Sequence, residues 1–472
     1  MKYEISIGLE THIMQKTKTK MFCGCEYQYG ALPNIYVCSI CLGYPGALPR
    51  INKKAIELCC KAGLLLGCKI NSFSSFDRKN YFYPDMSKNY QITQNEFPLC
   101  SGGEIEVNVH GNFKKFKIER IHQEENAAKN THLNGKSYID YNRAGTALME
   151  IVSTPCMHSA DDAIAYMTEI KQIMQYAGIS DCDQEKGQMR SDVNISVKLS
   201  SEKELGSKVE IKNMNSFSFI YDAINYETER QINILESGGT VYQETRGYDS
   251  ERGETFLQRS KEDAHDYRYF PEPDLLPLKI NAEQIKRWSD ELPELPSFRK
   301  IRYIKMGLPE YDAKLLTASK EIADWFEETL KYTDHVKPTS NFIMTDIMRL
   351  VSENNVKITN SKISPKKFAE IINTTQDGVI SVSSARQIIE LIFTDGGDPK
   401  SIIEEKQMVQ VSDNSALESW VDATIEANPK PVQEYKHGNN TSINFIMGQV
   451  MKLSKGKANP SAVMKLLKEK LD

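Results

Sequence analysis

Five stretches of this sequence set carboxylates, amides and cations at two-residue spacing, which is the spacing of one face of a β-strand. In "MRSDVNISVKL" (189–199), Met189, Ser191, Val193, Ile195, Val197 and Leu199 fall on one side, and Arg190, Asp192, Asn194, Ser196 and Lys198 on the other. In "SIGLETHI", Glu10 and His12 share a face, with Cα atoms roughly 6.5–7 Å apart. In "KIERIHQEEN", alternation assigns Glu119, Gln123 and Glu125 to one face, with Lys117 and Arg120 close by. In "YIDYNRAGTALMEIVS", Asp140 and Asn142 share a face and Glu150 follows; in "KVEIKNMNSF", Lys208, Glu210 and Lys212 do the same. One such face is ordinarily just solvated. Five of them, with Asn recurring at 142, 194, 213 and 215 although Asn is depleted in strands, point to a shared site. Carboxylates with one His suit a hard divalent cation such as Mg²⁺, and Arg and Lys suit phosphate oxygens. The chemistry implied is metal-assisted phosphoryl transfer. The sequence has neither a G-x-x-x-x-G-K-[ST] loop nor a G-x-G-x-x-G turn after a strand, so a nucleotide would lie on the sheet itself.

A second constellation is C-x-C-x₁₂-C-x₂-C, formed by Cys23, Cys25, Cys38 and Cys41. Two close pairs joined by a turn-rich loop suit a structural tetrahedral zinc site, with four unligated thiols as the alternative. The single spacer in the first pair is shorter than usual. His12 reads either as a metal ligand or as a satisfied buried histidine. Near the end of the chain, "NFIMGQVMKLSKGKANPSAVMKLLKEKL" clusters Lys452, Lys455 and Lys457. Residues 441–472 hold six Lys against Glu469 and Asp472. This is either a solvated helix face or a contact to a phosphate backbone.

These stretches must be carried by a scaffold. The chain has 472 residues and a net charge of −5, so any nucleic-acid contact rests on local patches. No apolar run reaches the length of a membrane span, and "MKYEISIGLE" enters strand-like alternation without a leader. A cytoplasmic protein is expected. The six cysteines outside the cluster show no ligand spacing and read as buried thiols. Residues 1–290 alternate short strand patterns with helical stretches at 53–67, 159–177 and 217–237, which implies an α+β domain with one open sheet face. Pro-rich segments at 267–278 and 290–300 mark a boundary. Beyond it the spacing is helical, giving a domain over 291–400 and a tail domain over 401–472.

Taken together, "IGLETHIMQ", "YFYPDMSKNYQITQ", "DYNRAGTALMEIVSTP", "MRSDVNISV", "VEIKNMNSF", "RSKEDAHDYRYFPEPDLLPL" and "GQVMKLSKGKANP" resemble the B subunits of tRNA-dependent amidotransferases, from residue 3 to residue 470. The resemblance implies a β-rich cradle related to glutamine synthetase folds, followed by a helical domain and a tail that hold tRNA. It also implies a heterotrimer with two partners, the amidase (or A) subunit, and a small C subunit. The activity implied is that of an ATP-dependent carbon–nitrogen ligase of the glutamine-hydrolysing type. Such an enzyme phosphorylates the side-chain carboxylate of Glu-tRNA(Gln) or Asp-tRNA(Asn), using ATP and Mg²⁺. Ammonia released by the amidase then displaces the phosphate. Many members carry the zinc site. Carried onto this chain, Glu10, His12, Glu125, Glu150, Asp192 and Glu210 become candidate metal ligands or reaction-centre carboxylates. Arg190, Lys212 and Arg268 become phosphate contacts, and Asn142, Arg143, Asn194, Asn213 and Ser216 pocket residues. Lys452, Lys455 and Lys457 become tRNA contacts.

The chain departs from that pattern in places. Asn126 and Ala128 stand where the family usually has an acid and a glycine, Ala147 where it has Pro, and Asn80 where Lys or Asp is commoner. Two other readings compete: a glutamine-synthetase-like ligase for a small free acid, and a non-catalytic tRNA-binding protein. The long helical C-terminus disfavours the first of these, and the intact carboxylate faces disfavour the second. No amidase-type Gly-Gly-Ser-Ser-Gly-Gly stretch is present, so ammonia must come from a partner.

Overall fold

A computed structural model describes residues 2–260, 266–410, 414–454 and 456–471. The chain divides into two units, Met1–Glu294 and Leu295–Asp472.

The first unit is built on a ten-stranded sheet. Its strands are β1 (Tyr3–Met14), β2 (Lys69–Ile70), β3 (Cys100–Ser101), β4 (Glu104–Val109), β5 (Asn112–Glu125), β6 (Ala147–Ser153), β7 (Met189–Leu199), β8 (Val209–Met214), β9 (Glu244–Asp249) and β10 (Glu254–Ser260). The order is β10-β9-β8-β7-β1-β6-β5-β3-β2, with β4 paired to β5. Every pair is antiparallel except β8–β9. The long strands β1 and β7 pair without a register shift, one face apolar and the other largely polar, and β5 alternates only as far as Ile118.

Ile7, Leu9, Ile13, Ile121, Ile151, Val193, Ile195 and Ile211 are buried in the core. Three helices accompany this sheet: α1 (Lys53–Leu65), α2 (Ala160–Tyr176) and α3 (Phe217–Glu236). Helix α1 packs on β5, α2 on β4 and α3 on β7 and β10. The Asn52 side chain accepts from the amides of Lys54 and Ala55 to start α1, and Ser159 accepts from Asp162 N to start α2. The second unit consists of helices around two apolar clusters. One spans Tyr303 to Ile403 and includes Phe326, Phe368 and Ile388; the other spans Leu417 to Leu471 and includes Ile446, Val450 and Leu467. Among the described residues no helix is long and apolar enough to cross a membrane.

One buried charge ties α3 to the edge strands. Glu227 is fully buried and accepts from Arg230 Nε (2.9 Å), Gln231 Nε2 (2.8 Å) and Thr255 Oγ1 of β10 (2.9 Å), with Arg246 Nε of β9 at 3.5 Å. Removing that carboxylate leaves two guanidinium groups under-compensated. Glu227→Ala should therefore destabilise the first unit by about 3–5 kcal/mol. The check is the shift of its unfolding midpoint in urea, with Glu227→Gln expected to fall between the variant and the parent.

Candidate metal and phosphate site

Strand register builds the site. Arg190 of β7 lies opposite His12 of β1, His12 opposite Glu150 of β6, and Glu150 opposite His122 of β5. The adjacent row runs Asp192, Glu10, Val152, Arg120. Asn194 pairs with Glu210 of β8. Side chains two apart on a strand emerge on the same face, so both rows open into one cleft of about 640 Å³. Lys79, Tyr81, Arg120, His122, Glu124 and Arg259 also line it.

Two ligand sets sit on this face. In one, His12 Nε2 lies 3.5 Å from both Glu124 Oε1 and Glu150 Oε2, and His122 Nε2 lies 3.1 Å from Glu150 Oε2. In the other, Glu10, Asp192 and Glu210 bring oxygens within 4.8 Å of one another. Neighbouring ligands of an octahedral Mg²⁺ lie about 3 Å apart, given Mg–O distances of about 2.1 Å. Both sets fit that ion with small movements. The buried Nδ1 atoms of His12 and His122 and Oδ1 of Asn194 have no hydrogen-bond partner among the described residues, which is further polar capacity for waters or a ligand.

The electrostatics are those of crowded carboxylates. Burial raises the Glu10 carboxyl above its ordinary value, and Glu150, Glu210 and Asp192 push it the same way against the Asn194 hydrogen bond. Burial also acts upward on Glu150. The imidazoles of His12 and His122 outweigh it and hold that carboxyl well below the usual range. Lys79 is held protonated against burial, chiefly by Glu124.

The residues expected from sequence divide as follows. Glu10, His12, Glu150, Arg190, Asp192, Lys212, Asn213 and Arg268 line the cleft. Glu210 joins through its carboxylate set, and Asn194 through a 2.9 Å bond to Glu10 Oε1. Glu125 is corrected: it does not belong to the ligand face. It is buried, accepts from Lys88 Nζ at 2.6 and 2.7 Å and from Ile92 N at 3.0 Å, and its neighbour Glu124 stands with His12 and Glu150 instead. The reason is a β-bulge. β6 and β5 shift register between Val152 and Ser153, so two-residue alternation does not carry through "KIERIHQEEN".

Asn142, Arg143 and Ser216 also lie outside the cleft lining. Asn142 accepts from Tyr36 N and donates to Leu32 O, bracing the cysteine loop. Arg143 donates to the carbonyls of Ala127 and Ala128, and burial followed by nearby Arg190 lowers its pKa. Ser216 precedes α3, with its hydroxyl 2.8 Å from that of Ser218. Sequence spacing does not single out Lys79, His122 or Glu124. The break of apolar spacing between Ile118 and Ile121 is the signal that points to the last two. Asn126 is buried with its Oδ1 unpartnered among the described residues, and Ala147 opens β6 as an ordinary strand residue. In the second unit Lys452 and Lys457 are exposed, and Lys455 lies outside the described residues.

Cys23, Cys25, Cys38 and Cys41 bring their sulfurs within 4.8 Å of one another, with Cys38 and Cys41 Sγ 3.9 Å apart. A tetrahedral zinc with Zn–S near 2.3 Å sets sulfurs about 3.8 Å apart, so the cluster fits. The buried Lys20 places Nζ 3.6 Å from Cys41 Sγ, an ammonium suited to offset the charge of four thiolates. A hydrogen bond from Cys23 draws the Cys41 thiol down, with burial opposing and Lys20 assisting, and the same bond pushes Cys23 up. The purified chain should hold about one zinc per molecule, as a single four-thiolate site requires. Elemental analysis of the Cys38→Ser variant should show that zinc lost. An unchanged content would place the metal elsewhere.

Comparison with known proteins follows the same division of the chain. The GatB/GatE catalytic domain model matches residues 5–286, and a GatB domain model matches residues 324–471. Proteins from Caldicellulosiruptor saccharolyticus and Persephonella marina, each named as the B subunit of an aspartyl/glutamyl-tRNA(Asn/Gln) amidotransferase, are 46% identical to this chain over 100% of its length and of theirs. The protein of that name from Moorella thermoacetica is 45% identical over the same full coverage. The chain is a member of the family of aspartyl/glutamyl-tRNA(Asn/Gln) amidotransferase B subunits.

Proposed function

We propose that this B subunit is the kinase and amidating component of a tRNA-dependent amidotransferase, acting on Glu-tRNA(Gln), Asp-tRNA(Asn) or both. The observation that supports this reading best is the pair of ligand sets, His12/Glu124/Glu150 and Glu10/Asp192/Glu210, side by side on one face and ringed by Arg120, Arg190, Arg259 and Lys79.

A carboxylate is a poor acylating agent because its leaving group would be an oxide, and phosphorylation supplies a better one. One side-chain oxygen of the charged amino acid attacks the γ-phosphorus of ATP, the bond to the β-phosphate oxygen breaks, and ADP leaves. Neutral ammonia then attacks the carbonyl carbon of the acyl phosphate. The carbon–oxygen bond to phosphate breaks, inorganic phosphate departs, and nitrogen gives up one proton. Mg²⁺ bound by the two sets would neutralise phosphate charge during the first step. Arg190, Arg259, Arg268 and Lys79 would hold phosphate oxygens, where positioning and charge neutralisation carry most of the catalysis. His12 and His122 keep Glu150 ionised. Ammonia would come from a partner amidase, the A subunit, with a small C subunit to complete the complex. The cysteine cluster would hold a structural zinc away from the reacting atoms.

With mischarged tRNA, γ-labelled ATP and Mg²⁺ but no amide donor, the assembled complex should release ADP only when the charged tRNA is present. Glu124→Gln and Glu210→Gln should each slow that release by about 100-fold or more, the loss of about 3 kcal/mol of charge stabilisation. Ser216→Ala should stay within about twofold of the parent. ADP release that ignores the tRNA, or that survives both carboxylate changes, would leave the chain as a tRNA-holding protein.

The tail lysines would contact phosphates of the tRNA body. Replacing Lys452 and Lys457 together by Ala should lower the slope of log Kd against log salt by about 2, near one per lost contact. Filter binding over a salt series gives that slope.

A further inference from the structure

Lys212 stands inside one of the ligand sets. Its Nζ lies 2.8 Å from Glu210 Oε1 and 3.2 Å from Asp192 Oδ2. Each carboxylate of the set is anchored through one oxygen by an uncharged donor. Asp192 Oδ1 accepts from Asn213 N at 2.8 Å, Glu210 Oε2 from Thr245 Oγ1 at 3.1 Å, and Glu10 Oε1 from Asn194 Nδ2 at 2.9 Å. One oxygen of each is left for the shared space, and Lys212 takes two of those three.

We propose that Lys212 is a place-holding cation: without a divalent ion its ammonium uses the Asp192 and Glu210 oxygens that the ion would use, and it moves to a phosphate oxygen of the nucleotide when the ion enters. Three carboxylates this close require positive charge. An ammonium and a divalent ion competing for the same two oxygens repel each other. Lys212 gives up both oxygens by swinging its ammonium aside. Its side chain is about a third exposed, and its four-carbon stem rotates freely enough to re-aim the charge. Arg190, Arg259 and Arg268 line the same cleft, so phosphates drawn to them offer the ammonium its new partner. Ion and triphosphate then assist each other's binding, because each relieves the cost the other imposes.

This inference rests on reading the cleft as a phosphoryl-transfer site, but its test needs neither tRNA nor turnover. Mn²⁺ is titrated into the full chain without nucleotide, and free Mn²⁺ is followed by electron paramagnetic resonance. Lys212→Gln and Lys212→Met, with folding verified by circular dichroism, should each bind one more tight Mn²⁺ than the parent, about tenfold or more tighter than any corresponding ion in the parent. Lys212→Arg, which keeps the charge, should match the parent, and adding Glu210→Gln to Lys212→Gln should abolish the gain. Equal ion counts and affinities in the parent and both neutral variants would overturn the proposal. So would a gain in Lys212→Arg, because charge would then not be the determinant. Either result would leave the tRNA-dependent ADP assay to decide the wider function separately.

Discussion

The site depends on one constraint: antiparallel register across four neighbouring strands. Because β7, β1, β6 and β5 are locked by backbone hydrogen bonds, Arg190, His12, Glu150 and His122 have to emerge in one line, and Asp192 and Glu10 in the next. The charged atoms are brought within ligand distance by the pleat, not by flexible loops. A one-residue slip of β1 would turn Glu10 and His12 into the core and Leu9 and Thr11 into the cleft. The apolar face prevents that slip. Leu9 and Ile13 are wholly buried, and the buried Thr11 and Ser191 hydroxyls meet at 2.9 Å beneath the polar rows.

That register imposes a cost. Two like charges 4 Å apart repel by about 4 kcal/mol at an effective dielectric of 20, and Glu10, Asp192 and Glu210 crowd more than one such pair together. The protein offsets this crowding with its own donors and cations. His12 and His122 set ring nitrogens against Glu150, Lys212 bridges Asp192 and Glu210, and Lys79 stands close enough to Glu124 to be kept charged by it. These groups make the cleft tolerable without metal. On the function proposed for it, the same arrangement would suit a divalent ion and a polyphosphate together, because each brings the charge the other lacks. At the second cluster the logic is similar: Lys20, buried beside Cys41, supplies one positive charge to a group of thiols that a metal would complete.

Much of this is legible in the sequence where alternation runs unbroken. β1 and β7 carry eleven paired positions without a register shift, and Glu10, His12, Arg190, Asp192 and Asn194 fall where simple period-two reading puts them. The cysteine spacing likewise identifies four sulfurs that the fold brings together. The reading fails where the period breaks. Strict alternation selects Glu125 over Glu124 because the bulge opposite Val152 and Ser153 interrupts the alternation of β5. The apolar residues there, Phe116, Ile118 and then Ile121, show the interruption as a three-residue step. Asn142 fails for a different reason. Its neighbours Asp140, which ends a short strand, and Tyr141, in the turn that follows, join it in bracing the cysteine loop through Asn34 and Tyr36, a long-range partnership that no local pattern reports. Lys79 comes from a short strand, Asp77–Asn80, of a separate three-stranded sheet, and its place over the site is set by tertiary packing alone.

The division of labour between the two sheet faces explains how such a site is compatible with a stable fold. Apolar burial lies on the face carrying Ile7, Leu9, Ile121, Ile151, Val193, Ile195 and Ile211, and three helices pack on the strands of this sheet. Each of those fully buried aliphatic side chains contributes about 1.5–3 kcal/mol relative to exposure. The sheet's backbone hydrogen bonds are satisfied by its neighbouring strands whatever the side chains do. The polar face is therefore free of structural duty and can carry a charge arrangement that by itself would unfold a domain. Two of the sheet's three register shifts fall on the same principle. One lies in β5 beside His122 and Glu124, and the other in β8 beside Lys212 and Asn213, where the backbone of Asn213 turns to φ +59°. Each re-aims a few side chains into the cleft, while the strands on either side keep the core face intact.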